Sequence, residues 1–143
     1  MEFVEAEQRG DHRTVGKLLG YADCCQEFFS TVWLAGYVDP VWQAACNSPQ
    51  SWVKNLGAKL PLIEISNPDS AYTWFGSRYN GIRIAAHLPC SLACEGTIAT
   101  GKKWIELGRQ LKIAGIDELL DLLNMPTEWD ALHGIAIIST PIY

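Results

Sequence analysis

The stretch His87-Leu88-Pro89-Cys90-Ser91-Leu92-Ala93-Cys94-Glu95 sets one imidazole, two thiols and a carboxylate directly ahead of a long helical pattern. Pro89 suits the first position of a helix, because its ring fixes φ and it has no amide proton to donate. The pattern predicts a helix over about 90–114, stopped by Gly115. Within it Cys90 and Cys94 stand four apart, so both thiols share one face. That face continues through Thr97 or Ile98 to Gly101, Ile105 and Gly108. A glycine costs a helix about 1 kcal/mol against alanine, and the cost usually accompanies close approach by another segment.

The segment expected there begins at Asp23-Cys24-Cys25. Asp23 reads as the N-cap of a helix from Cys24 to about Ala35, ended by Gly36, with Phe28, Val32 and Ala35 on its packed face. Thiols in a first turn meet the positive end of the helix dipole, which favours thiolate. Two helix starts would then converge and bring Cys24, Cys25, Cys90 and Cys94 into one cofactor-binding set. His87 can fold back toward it as a further metal ligand or a proton carrier. Glu95 is the second candidate catalytic group, although the helix dipole alone accounts for an acid in a first turn. His133 is a weaker candidate for the same pocket. Cys46 reads as a small buried hydrophobe, His12 as a surface residue, and Asp117, Glu118 and Asp121 as a solvated helix face.

Clustered thiolates suit soft or borderline metals. Structural zinc is usually held by two Cys-x-x-Cys knuckles, and this chain has none. The wider spacing favours an iron–sulfur cluster of the 4Fe-4S type, with a zinc ion as the alternative and a metal-free thiol enzyme as the third reading. With only three sulfurs bound, one iron would stay open to a small-molecule substrate. That would make the protein a cluster-dependent lyase or redox enzyme. The zinc alternative instead implies a binding module without its own catalysis, serving a fused or partner enzyme domain.

Bulk properties bound the rest. A chain of 143 residues with 48% hydrophobic and 19% charged residues is long and apolar enough to bury a core as one domain, 1–143. A net charge of −5 argues against a nucleic-acid partner. No apolar run reaches the roughly 18 residues of a membrane span, so no membrane role is expected. The acidic start Met1-Glu2-Phe3-Val4-Glu5 does not resemble a signal peptide. An odd count of five cysteines without an export signal points to the reducing cytoplasm, where such clusters bind metal or do redox chemistry. The abrupt apolar end Thr140-Pro141-Ile142-Tyr143 is what a domain excised from a longer chain would show. The six tryptophans read chiefly as core filling.

The expected fold is α+β, a helix-rich single domain with a small sheet of two or three strands. Helices are predicted over 2–19 with a break at Gly10-Asp11, over 40–46 from Pro40, over about 50–56, and over 116–124. Leu60 to Ile65, Ile82 to Ala86 and Gly134 to Ser139 read as strands, and Glu128 to His133 as a helical turn. Phosphate-loop and dinucleotide glycine motifs are missing. Thr97 breaks a radical-type Cys-x-x-x-Cys-x-x-Cys, and Cys94 comes one residue too late for a zinc deaminase.

Gly20-Tyr21-Ala22-Asp23-Cys24-Cys25 with Phe28-Phe29, followed by His87-Leu88-Pro89-Cys90-Ser91-x-x-Cys94, resembles a family of small uncharacterised bacterial and archaeal proteins. Members carry Gly-Tyr-Pro-x-Cys-Cys and His-x-Pro-Cys-Ser-x-x-Cys signatures; Ala22 stands where the family usually has proline. The resemblance implies that the two motifs work as a pair, and implies no reaction.

Overall fold

A computed structural model describes residues 2–35, 40–55, 62–65, 67–74, 82–125, 127–130 and 135–138. The expected helix ends at Gly36 and Gly57, and His133, lie outside the described residues.

The N-terminal third is built of short helices. Helix α1 (Glu2–Gln8) and α2 (His12–Leu18) are separated at Gly10, which has a positive φ of 66°. Asp11 caps α2 as its position predicts, accepting hydrogen bonds from the Thr14 amide and hydroxyl. Helix α3 (Asp23–Phe28) follows. Its N-cap is Ala22 rather than Asp23, which enters the helix as a first-turn acid. Beyond Phe28 the helix widens into a π turn, Phe29–Trp33. The Ser30 and Thr31 hydroxyls donate to the carbonyls of Gln26 and Glu27 four residues back, a competition that distorts helices at this point. Helix α4 (Pro40–Cys46) starts at its proline as expected. Cys46 corrects its reading as a buried hydrophobe, for it is exposed.

The sheet departs further from expectation. Among the described residues it has four strands, not two or three: β1 (Val53–Asn55), β2 (Leu62–Ile65), β3 (Thr127–Asp130) and β4 (Ile135–Ile138), antiparallel throughout and ordered as in the chain. Two stretches read as helical supply the difference. Residues 53–55 and 127–130 lie on either side of β2, and ladder pairing overrides their local preference. The rung Val53–Ile65–Thr127 is buried and faces the core. Residues 82–86, expected as a strand, run as irregular chain.

Between the sheet and the C-terminal helices, Asn67 opens a 3₁₀ turn over Pro68–Tyr72 by accepting the Asp69 amide. Helix α5 (Glu95–Gln110) and α6 (Ile116–Leu123) follow, joined through Gly115 with φ of 81°. Arg109 at the end of α5 pairs with exposed Asp117 at 2.7 Å. The core gathers Phe28, Val41, Ala44, Ile65, Trp74, Leu92 and Leu123, so it draws on all parts of the chain. Trp74 fills it, Trp42 and Trp52 pack against it, and Trp33 and Trp104 are exposed. Among the described residues no helix is long and apolar enough to cross a membrane.

A candidate metal centre at two helix starts

Helix α5 begins five residues later than predicted. Cys94 is its N-cap in an extended conformation, so Cys90 is not on the helix at all. What keeps 90–93 out of the helix is visible in its contacts. Leu92 is fully buried and acts as a plug in the core. The Leu92 amide donates to Ser48 Oγ at 2.9 Å, and its carbonyl accepts from Thr73 Oγ1 at 2.6 Å. Asn47 Nδ2 donates to the Cys90 carbonyl at 2.9 Å, and the Ser91 and Ser48 hydroxyls meet at 3.2 Å. The loop carrying both thiols is thus riveted to the end of α4 and to the 3₁₀ turn. Asn47, Ser48 and Thr73 were not visible as site residues in the sequence, since nothing in their spacing ties them to Cys90.

The face predicted for α5 is buried residue for residue: Thr97, Ile98, Gly101, Ile105 and Gly108. Its expected neighbour is not α3, however. A Cβ on Gly101 would lie 2.9 Å from Tyr72 Cβ and 3.1 Å from Ile84 Cγ2, and one on Gly108 would strike Ile116. The glycine that admits the start of α3 is Gly96, where a Cβ would lie 2.8 Å from Ala22 Cβ.

That approach brings the sulfurs together. The ligand atoms of Cys24, Cys25, Cys90 and Cys94 all lie within 4.8 Å of one another. Cys94 Sγ is 3.5 Å from Cys25 Sγ and 3.7 Å from Cys24 Sγ. Cys25 and Cys94 are buried, Cys90 is half-buried, and Cys24 forms the exposed rim. Four cysteines therefore stand close enough to hold a metal ion.

The surroundings already suit anionic sulfur. The Cys90 amide donates to Cys25 Sγ at 3.4 Å, and Thr97 Oγ1 meets the same sulfur at 3.4 Å. Hydrogen bonding from Cys25 first, then from Thr97 and Cys24, pulls the Cys94 thiol down to about 4 against its burial. The cost falls on its neighbours. Its hydrogen bond to Cys94 and its burial push Cys25 up, while burial and the Cys94 charge push Cys90 up to about 12. The balance of hydrogen bonding and burial thus favours charge on Cys94 and resists it on Cys25 and Cys90. Four thiolates need a positive ion between them, and the donor set fits one.

His87 lies beside the cluster without joining it. Its Nε2 is 2.9 Å from Thr97 Oγ1 and its ring stacks on Tyr21 at 4.6 Å. Burial lowers its pKa, opposed by the Cys94 charge, so it is a neutral imidazole near pH 7. Thr97 thus links His87 to the Cys25 sulfur. The sequence offered Thr97 only as a position on the α5 face and as the missing third cysteine of a radical-type motif. Glu95 opens α5 as an exposed first-turn acid.

No protein-family model matches the chain, and comparisons with curated proteins and with solved structures also found no match. The class the site defines is therefore drawn from its own geometry: a helix-rich α+β protein with a four-cysteine site competent for metal.

Proposed function

We propose that this chain is a metal-binding domain in which Cys24, Cys25, Cys90 and Cys94 hold a single tetrahedral ion, zinc in the first place. The sulfur spacing carries this reading. With zinc–sulfur bonds of about 2.3 Å, the edge of an S₄ tetrahedron is about 3.8 Å. The separations of 3.5 and 3.7 Å match that edge, and no pair of the four sulfurs is more than 4.8 Å apart. A 4Fe-4S cluster puts each thiolate on a different iron with sulfides between, which spreads the thiolates to about 6 Å. The iron–sulfur reading favoured by the motif spacing is therefore the second one.

A full set of four protein sulfurs leaves no open position for a substrate, which is the pattern of structural zinc. The ion would tie the start of α3 to the loop ahead of α5. The protein then works as a binding module, alone or beside a partner enzyme domain, and His87 serves through Thr97 rather than as a ligand.

Elemental analysis of protein prepared without oxygen tests this reading. One zinc per chain is expected; iron with acid-labile sulfide and visible absorption would establish the cluster instead. Cobalt substitution should give the intense visible bands of a tetrahedral thiolate site. A second prediction concerns Thr97. Thr97→Val keeps the shape of a side chain that is 1% exposed and removes the hydroxyl between His87 and Cys25. Loss of such outer hydrogen bonds weakens metal affinity by about 10-fold, to be read by competition with a chromophoric chelator.

A further inference from the structure

We infer that the cavity beside the cysteine cluster is a binding site for a neutral aromatic ring compound of one or two fused rings. The cavity encloses about 300 Å³ between α2, α3 and the chain leading to His87. That is the lower end of the range for small-molecule pockets, enough for a fused bicycle and too little for a nucleotide.

The walls decide the chemistry. Two aromatic pairs line the cavity: His12 with Phe29, edge-on at 5.8 Å, and Tyr21 with His87, stacked at 4.6 Å. Such rings favour a planar partner through offset stacking and edge contacts. No Lys, Arg, Asp or Glu stands among the described residues that line it, so a charged ligand would lose its hydration without gaining an ion pair. A ligand with a hydrogen-bonding edge has one ring nitrogen to meet: His87 Nε2 is taken by Thr97, which leaves Nδ1. Gln26 Nε2 donates to the Tyr21 carbonyl, which holds its side chain as part of the wall. Cys25 forms part of the same wall, so the ring would lie directly behind the metal ligands.

The inference uses the cavity and not the identity of the metal, so metal analysis and ligand titration succeed or fail separately. The metal-loaded full chain is titrated with adenine, indole and nicotinamide, with cyclohexanol as the saturated control. The ring resonances of His12 and His87 are followed by NMR. At least one aromatic probe should saturate with Kd below about 1 mM and shift both histidines. Ala86→Trp places a large side chain at the exposed rim and should weaken that probe at least 10-fold while metal content stays unchanged. Phe29→Leu keeps apolar bulk, removes one ring and should weaken it several-fold. Saturation of none of the three with Kd below about 1 mM would overturn the proposal. So would cyclohexanol binding as tightly as the rings, or unchanged affinity in both variants.

Discussion

Cys94→Ser will lose the metal and lower the midpoint of thermal unfolding by about 10 °C. Cys94 is the sulfur nearest both members of the other pair, at 3.5 and 3.7 Å. Its loss removes the shared corner of the tetrahedron, and serine is a poor replacement for thiolate on a soft or borderline ion. Apparent binding energies for structural zinc run to about 10–16 kcal/mol in small peptides, and binding energy is folding energy wherever the unfolded chain has no site. Here the molecule keeps a core of its own around Trp74 and Leu92, so the variant should stay folded and lose only part of that sum. A loss of about 3–5 kcal/mol corresponds to about 10 °C for a chain of this size. Two comparisons isolate the metal. Chelated wild-type protein should melt with the variant, while Cys46→Ser, at an exposed cysteine, should keep its metal and its midpoint. If chelator leaves the wild-type midpoint where it was, the four sulfurs are not a structural metal site.

The sequence made the pairing of the two thiol motifs legible, because residue type and clustering carry that information directly. The α5 face was legible for the same reason: Thr97, Ile98, Gly101, Ile105 and Gly108 repeat at helical spacing, and all are buried. What failed was the course of the backbone where tertiary contacts override local preference. The helix start was placed at Pro89 because proline is well suited there, yet Leu92 is drawn into the core and Ser48 and Thr73 take its backbone groups. Those hydrogen bonds span many positions and leave no local signature. The pairing of β3 with β2, Ile65 against Thr127, was hidden likewise by its long separation, whereas β1 pairs with nearby β2 and was masked only by its local reading as helix. A stretch of apolar residues at 82–86 had strand propensity and no ladder to join among the described residues. The spacing argument for iron–sulfur also assumed both cysteines on one helix face. The structure has Cys94 as the cap and Cys90 on the loop instead.

Gly96→Ala should destabilise the protein and loosen the metal, against the sign that helix propensity alone would give. Gly96 is the second residue of α5, and alanine there would favour the helix by up to about 1 kcal/mol. Its Cβ, however, would lie 2.8 Å from the Cβ of Ala22, the cap of α3. Both atoms are fixed to backbone, so no rotamer relieves the clash and the two helix starts must separate. Such overpacking costs about 1–3 kcal/mol. The contact sits between Cys94 on one side and Cys24 and Cys25 on the other, so the displacement falls on the sulfur spacing. A shift of half an ångström at 3.5 Å is large against metal–sulfur tolerances of about 0.2 Å. Metal release to a competing chelator should therefore rise about 10-fold, in step with a lower unfolding midpoint. Ala22→Gly removes the opposing Cβ, and the double variant should recover both properties, a coupling expected only of atoms in contact. If Gly96→Ala instead raises the midpoint and leaves metal retention unchanged, the close approach of the two helix starts does not set the geometry of the site.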